Sequence, residues 1–196
     1  DVDLVLGVLG AVSPDGLEWT VLPEPLAETH CDTQLVGTYN AHLGEYVIYT
    51  RDYVDLPMDE EAAEYDPGRM VRYTRRAVGA LRSRDFRHFP LPEVVLQADP
   101  SMRPSEVLYT NAYTTMPGAP EQHLMFPAVW DLCHHDETRI RVASSYNGLL
   151  WQFLPGEPVL ETGTFGAWDG GCVFAHPNLV ELPNGDWVLP YTGYDV

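Results

Sequence analysis

The chain has 196 residues, 45% of them hydrophobic, and its 29 acidic and 11 basic side chains give a formal net charge of -18. This length suffices for one packed domain or for a piece of a larger one. The acidic surface repels phosphate backbones, which makes nucleic acid a poor candidate partner. No apolar run is long enough to span a membrane, and the short apolar segment 2–12 lacks the basic flank of a signal peptide.

A pattern of seven residues, Ser-x-Asp/Asn-x-x-x-aromatic, occurs at 13–19, 83–89 and 145–151. Its Ser and Asp/Asn side chains can bond nearby backbone groups and so predict a turn. The aromatic residue at its end can then fold back between two sheets. Each copy is followed by a Pro- and Glu-rich connection that ends in a leucine. A period of about 60 to 70 residues indicates a repeated supersecondary unit.

Hairpins are predicted between the copies, because apolar residues alternate on either side of turn-forming residues. The predicted strand pairs are 34–39 with 46–51, 107–115 with 123–129, and 179–182 with 187–191. Pro190 marks the last strand as an edge or irregular one. Helical periodicity is nearly absent, and 57–69 is the one segment that suggests a helical turn or a loop.

A first strand, a hairpin partner, a third strand and a closing strand make one blade of a β-propeller. We therefore predict an all-β fold, a propeller of four-stranded antiparallel blades. The predicted units are the end of one blade (1–27), two whole blades (28–97 and 98–161) and the start of another (162–196). Since propellers have about 4–8 blades, the chain is expected to be a partial propeller, cut at both ends. A β-sandwich is the alternative, but it predicts shorter strand spacing.

Three acidic residues, Asp32, Glu106 and Asp169, stand near the start of the first strand of successive blades. Innermost strands line the propeller axis, so we expect the three carboxylates to converge at one mouth. Neighbouring carboxylates repel one another and raise at least one pKa. A protonated carboxyl beside an ionised one is the arrangement that cleaves glycosidic bonds. Carboxylates that only cap turns are the structural alternative.

Five further residues are candidates for substrate binding. Tyr109 and Trp168 could stack on sugar faces, and Gln34, Arg51 and Asn111 could bond hydroxyl groups.

Other polar groups have simpler interpretations. The best repeated ones, Asp15, Asp85 and Asn147, predict turns rather than catalysis. The segment 134–136 (His-His-Asp) predicts a solvated loop rather than a metal site, because adjacent side chains point apart. Cys31, beside Asp32, predicts a small buried residue. No metal site is predicted among these residues, although a structural calcium ion in the channel is left open.

Five motifs resemble those of bacterial five-bladed propellers related to glycoside hydrolase families 32, 43 and 68. They are Cys-Asp-Thr-Gln-Leu-Val at 31–36, the segment 44–51, Tyr-Thr-Asn-Ala at 109–112, Leu-Met-Phe-Pro at 124–127, and Gly-Ala-Trp-Asp at 166–169. The resemblance covers nearly the whole chain and implies five blades in the full protein. The family 32 motif Asn-Asp-Pro-Asn-Gly is not in the sequence, so fructan specificity is not implied.

The resemblance implies a role for each carboxylate. Asp32 corresponds to the nucleophile or base, Glu106 to the general acid, and Asp169 to the carboxylate that stabilises the transition state. The chain order Asp-Glu-Asp differs from the Asp-Asp-Glu order of the superfamily.

The expected function is hydrolysis of a neutral oligo- or polysaccharide without an organic cofactor, and the substrate suggests a secreted or periplasmic protein. A non-catalytic carbohydrate-binding propeller is the alternative. A sialidase-type propeller ranks last, because it needs an arginine cluster for the substrate carboxylate.

Overall fold

The computed structural model describes residues 7–29, 31–55, 74–133 and 137–195. Within these residues the fold is all-β and contains no helix. No described segment forms a helix long and apolar enough to cross a lipid bilayer. The predicted helical turn or loop at 57–69 and the predicted loop at 134–136 lie outside the described residues.

The N-terminal part is a two-stranded ribbon of β1 (Ala11–Val12) and β2 (Thr20–Val21) around the first copy of the turn. An isolated bridge between Val8 and Ala27 extends the ribbon.

The first four-stranded sheet has the antiparallel order β3 (Val36–Asn40), β4 (Glu45–Asp55), β5 (Thr74–Ser83) and β6 (Glu93–Leu96). The β3–β4 hairpin confirms the first predicted strand pair. Its turn ends at Gly44, whose φ of 66° lies in the left-handed region that glycine adopts without strain.

The second sheet is also a four-stranded meander, but its first three strands are each interrupted. Its strands are β7 (Glu106–Leu108), β8 (Tyr113–Met116), β9 (Ala119–Met125), β10 (Ala128–Asp131), β11 (Glu137–Ile140), β12 (Ala143–Ser145) and β13 (Gln152–Phe153). They form two ladders, β11-β10-β7 and β13-β12-β9-β8.

The interruption of the second sheet has a local cause. Pro127 separates β9 from β10, and proline has no N–H to donate to a ladder. On the neighbouring strand, Ala112 has a φ of 41°, which lies outside the β region and so interrupts that strand as well. The second predicted strand pair is therefore confirmed in position, although each strand is broken in the middle.

The C-terminal part pairs β14 (Cys172–Ala175) with β17 (Tyr191–Tyr194), and β15 (Val180–Glu181) with β16 (Trp187–Val188). Pro190 lies between β16 and β17, and the strand is irregular at that point, as the sequence predicts.

The hydrophobic core lies between successive sheets. One cluster, which includes Tyr49 and Val47 of β4 and Met125 and Val129 of the next sheet, joins the first four-stranded sheet to the second. Another cluster joins the second sheet to β14. The prediction is confirmed for an all-β fold with four-stranded antiparallel sheets; a closed ring of five blades and the boundaries between units stay predictions.

Two backbone hydrogen bonds to the Asp or Asn side chain of the repeated turn recur in all three copies. In the third copy, the N–H groups of Leu149 and Leu150 both donate to Oδ1 of Asn147 at 2.9 Å. The corresponding acceptors are Asp15 in the first copy and Asp85 in the second. These residues are turn formers, as the sequence indicates.

Candidate functional site

Gln34 connects the first strands of three successive sheets. Its Nε2 donates to the carbonyl of Ala175 in β14 at 3.1 Å, and its Oε1 accepts from the backbone N–H of Asn111 at 3.3 Å. In return, Nδ2 of Asn111 donates to the carbonyl of Gln34 at 3.0 Å. The three strands therefore meet at one place, as strands that line a propeller axis do.

Both amide side chains are thus bonded to backbone groups at this junction. Asn111 is buried, and its Oδ1 has no hydrogen-bond partner among the described residues. Sugar binding by Gln34 and Asn111 stays a prediction; their observed role is to hold the first strands together.

Asp32 lies four residues before β3 and forms an ion pair with Arg51 of β4. The two partners differ in environment: the side chain of Asp32 is 54% exposed, whereas that of Arg51 is 1% exposed. The guanidinium also lies 5.5 Å from the ring centroid of Tyr53. The buried guanidinium of Arg51 therefore fixes the position of the Asp32 carboxylate, which stays exposed and accessible to a ligand.

Glu106 has a different environment from Asp32. It is buried at the start of β7, it forms an ion pair with Arg139 of β11, and its Oε2 accepts the N–H of Arg103 at 2.9 Å. Opposite it in the ladder, Asp131 pairs with Arg103 at 3.1 Å. Glu106 is therefore part of a network of charged residues within its own sheet.

The strand registers explain this difference. Tyr39 and Thr115 hold equivalent positions, because each is two ladder steps from the serine of its own repeated turn. By the same registers Tyr53 of β4 corresponds to Trp130 of β10, whose ladder partner is Val107. The counterpart of Asp32 is therefore Val107 rather than Glu106. The three acids are therefore not at equivalent positions, and the general-acid role of Glu106 stays a prediction.

Asp169 lies three residues before β14, and its Oδ2 accepts a hydrogen bond of 3.1 Å from the hydroxyl of Tyr191. Burial raises the pKa of Tyr191, and the bond to Asp169 raises it further. Gly193 makes room for this arrangement, since a Cβ there would lie 2.5 Å from that of Asp169 and 2.6 Å from the ring of Trp168.

Trp168 is exposed, and its ring packs on Tyr191 with a centroid distance of 5.4 Å. Its position, exposed and beside a carboxylate, suits the predicted stacking on a sugar.

Tyr109 belongs to an aromatic group that spans two sheets. Its ring lies 5.0 Å from that of Trp130 and 5.6 Å from that of Phe174 in β14. The guanidinium of Arg76 lies 5.0 Å from the ring centroid of Tyr109 and 5.4 Å from that of Trp130. The sequence did not predict Arg76, Trp130 or Phe174 as part of the site; the two adjacent arginines that precede the apolar run 77–81 were the available signal.

The carboxyl group of Asp52 was also missed. Burial raises its pKa, although the N–H of Tyr53 donates to Oδ1 at 2.8 Å. Its side chain lies over Gly79, where an added Cβ would come within 2.9 Å of that of Asp52. It is therefore directed away from Arg51, which lies on the other face of β4.

The sequence predicts a small buried residue at Cys31, and the structure shows that it is only partly buried. Burial, with a contribution from Asp32, raises the pKa of the Cys31 thiol, which opposes reactivity as a thiolate. In the described ranges no three His, Cys, Asp or Glu side chains are grouped as a metal site.

Several solved structures of other proteins share the fold of this chain. No protein-family model and no curated protein matches the chain. An N-acetylgalactosamine deacetylase from F. plautii, solved in complex with blood group B trisaccharide, has a TM-score of 0.58 and 13% identity over 82% of this chain and 39% of its own. A BT0996 RGII complex, at 11% identity, and a glycoside hydrolase, at 10%, each have a TM-score of 0.55 and cover 89% of this chain and 51% of their own length.

At 10–13% identity these likenesses show a shared fold alone, and one of the three structures is a glycoside hydrolase. The chain spans between 39% and 51% of the length of these three proteins.

Proposed function

We propose that the protein hydrolyses glycosidic bonds of a neutral glycan at the mouth where its first strands converge. The observation that carries this proposal is the pair of Asp32 and Arg51: an exposed carboxylate, fixed by a buried guanidinium, at the head of a first strand. A carboxylate in such a position suits a nucleophile or a base, which must be ionised and accessible.

Asp169 is the proposed second carboxylate of the site. Like Asp32, it lies in the segment just before a first strand, and it has the exposed Trp168 beside it. Its hydrogen bond from Tyr191 holds it in place. A flat indole next to a carboxylate offers a sugar both a stacking surface and a polar contact.

The mechanism also needs a proton donor. Glu106 retains the proposed role from the resemblance, but its carboxyl oxygens are occupied by the ion pair with Arg139 and by the N–H of Arg103. For Glu106 to donate, its ion pair with Arg139 must open when substrate binds. A proton donor from another part of the whole protein is the alternative.

Carbohydrate binding without catalysis is the second candidate function, and the ion pair of Glu106 specifically favours it. In that case Asp32 and Asp169 accept hydrogen bonds from sugar hydroxyls. In both cases a polymeric substrate suits a secreted or periplasmic protein.

Turnover by the Asp32→Asn variant separates these functions. The intact protein is assayed for released reducing sugar on arabino-, manno-, xylo-, cello- and galacto-oligosaccharides, with Glu93→Gln, an exposed acid on the outer strand β6, as the matched control. Hydrolysis predicts that Asp32→Asn loses at least about a hundredfold in kcat while Glu93→Gln keeps full activity. Full activity of Asp32→Asn would exclude Asp32 as a catalytic residue, and binding without turnover by the unsubstituted protein would favour the second function.

A further inference from the structure

A polar pocket lies at the end of the second sheet where β7 and β11 begin. It has a volume of about 360 Å³, and its described lining residues are Arg103 ahead of β7, Asp131 at the end of β10, 137–139 in β11 and 161–163 ahead of β14. The volume falls within the range of about 300–1,000 Å³ that is typical of small-molecule sites.

The strand register places three carboxylates side by side at this pocket. Asp131 of β10 is directly opposite Glu106 of β7 on one side and Glu137 of β11 on the other. Residues that oppose one another in an antiparallel ladder project from the same face of the sheet. Glu106 and Asp131 are buried, whereas Glu137 is exposed. The row of carboxylates therefore runs from the interior of the sheet to its accessible edge.

Two arginines offset the repulsion within this row. Arg139 is two residues from Glu137 along β11, so it lies on the same face, and it pairs with Glu106. Arg103 pairs with Asp131 at 3.1 Å. A guanidinium carries five N–H donors in fixed directions. The wall of the pocket therefore presents donors and acceptors that hold one another in place before a ligand arrives, which lowers the entropy cost of binding.

The pocket borders the carboxylate of Asp169 through Gly163. The N–H of Gly163 donates to the carbonyl of Asp169 at 3.1 Å, and a Cβ added to Gly163 would collide with Oδ1 of Asp169. A second contact fixes this wall, because Oγ1 of Thr138 both donates to the carbonyl of Val173 and accepts its N–H at 2.7 Å. The pocket thus adjoins the second carboxylate of the proposed mouth.

The lining indicates the class of ligand. Among the lining residues that the structure describes, none has an apolar or aromatic side chain, three are acids and two are arginines. An ion of either sign therefore meets like charge in the pocket. A sugar hydroxyl both donates and accepts a hydrogen bond, so a neutral ring with several hydroxyls matches the paired donors and acceptors.

We propose that this pocket is a subsite of the proposed glycosidase, which binds one ring of the neutral glycan through its hydroxyl groups. Glu137 and Glu161, which are exposed and line the pocket, determine which hydroxyl pattern is accepted. The proposal rests on the proposed function, because the bound ring lies beside Asp169.

Calorimetric titration of the intact protein in the Asp32→Asn background tests the subsite. The neutral oligosaccharides of the turnover assay are the probes, and a galacturono-oligosaccharide is their anionic counterpart. Glu137→Ala and Glu161→Ala each remove one acceptor at an exposed position. Glu181→Ala is the matched control, because Glu181 is also exposed but lies on β15 and does not line the pocket.

We expect Glu137→Ala or Glu161→Ala to weaken the binding of at least one neutral probe by about tenfold, which corresponds to about 1.4 kcal/mol. Glu181→Ala should leave the Kd unchanged. The proposal is overturned if no neutral probe binds, if both pocket variants leave every Kd unaltered, or if the galacturono-oligosaccharide binds more tightly than every neutral probe.

Failure of the subsite and failure of the proposed function give different results. Turnover by the unsubstituted protein, with binding that is insensitive to Glu137→Ala and Glu161→Ala, refutes the subsite alone. Binding that depends on these residues, without turnover, supports the pocket as a glycan site and refutes hydrolysis.

Discussion

The hydroxyl of Tyr49, in β4 of the first four-stranded sheet, donates a hydrogen bond of 2.7 Å to the carbonyl oxygen of Gly148, in the turn of the second sheet. The same carbonyl accepts Nε1 of Trp151 at 2.9 Å. The ring of Tyr49 stacks on that of Tyr113 at 4.6 Å and meets Trp151 edge-on at 5.8 Å. The repeated turn therefore shapes its own sheet and also attaches it to the sheet before it.

Tyr49→Phe tests the hydrogen bond in this attachment. The ring is fully buried, and burial raises the pKa of Tyr49 far above its usual value, so the hydroxyl is always a donor. Because Trp151 still satisfies the carbonyl of Gly148, we expect a loss of only about 1 kcal/mol in the free energy of unfolding. Urea denaturation measures it, with Tyr39→Phe as the half-exposed control. Equal stability of the two variants would contradict a structural role for the bond.

Gly148→Ala and Gly16→Ala separate backbone strain from steric conflict. Both glycines have positive φ, 75° and 78°, so alanine is strained by about 1–2 kcal/mol at either site. A Cβ at Gly16 meets nothing within 4 Å, but one at Gly148 lies 2.8 Å from the Tyr49 hydroxyl and 2.9 Å from Nδ2 of Asn40. We therefore expect Gly148→Ala to lower Tm clearly more than Gly16→Ala. Similar decreases in Tm would show that the turn can move away from the first sheet at little cost.

Arg51→Lys tests whether the position of Asp32 matters for turnover, and so depends on the proposed function. Lysine keeps the positive charge but lacks the planar guanidinium that holds a carboxylate in one orientation. A displaced catalytic group can cost about a hundredfold in rate, so we expect kcat to decrease by about 10- to 100-fold. Arg82→Lys is the matched control, because Arg82 pairs with Glu45 on the neighbouring strand at 2.6 Å, away from Asp32.

A thermal melt of both variants shows whether the fold persists. An unchanged kcat in a folded Arg51→Lys variant would contradict the positioning role.

Asp52→Asn predicts a stability change that depends on pH. Because burial raises the pKa of Asp52 in the folded state, its ionisation opposes folding. This cost is absent below the pKa of the unfolded carboxyl and develops as the pH rises through the higher, folded pKa. Asparagine removes the charge and keeps the Oδ1 acceptor for the N–H of Tyr53.

We therefore expect the asparagine variant to have a higher Tm than the unsubstituted protein at pH 7 and the same Tm at pH 3. Calorimetric melts at the two pH values measure this difference, with Glu93→Gln as an exposed control. A lower Tm at pH 7 would mean that the charge of Asp52 stabilises the fold.

The parts of the structure that could be predicted from sequence depend on nearby residues. The repeated turns could be predicted because Asp15, Asp85 and Asn147 bond N–H groups only two and three residues ahead. The hairpins could be predicted for the same reason, and Pro190 correctly marks an irregular strand. These local patterns also predict the four-stranded sheets.

The candidate site could be predicted only in part. The sequence places Asp32, Glu106 and Asp169 near the starts of first strands, but the count from the preceding leucines passes through connections of unequal length. The count therefore treated Glu106 as the counterpart of Asp32, whereas the strand ladders place Val107 there. No local pattern reveals that Arg139 neutralises Glu106 or that Gln34 bonds Ala175, because these partners are far apart in the sequence.

The sequence by itself determined the turns, the order of the strands and the residue types that a carbohydrate site needs, since each of these depends on a few neighbouring residues. The tertiary structure decided which carboxylate is exposed and which is buried in an ion pair, and it also brought Gln34, Asn111 and Ala175 together. Burial and charge pairing depend on how the sheets pack against one another, and that packing joins residues whose separation along the chain carries no signal of their contact.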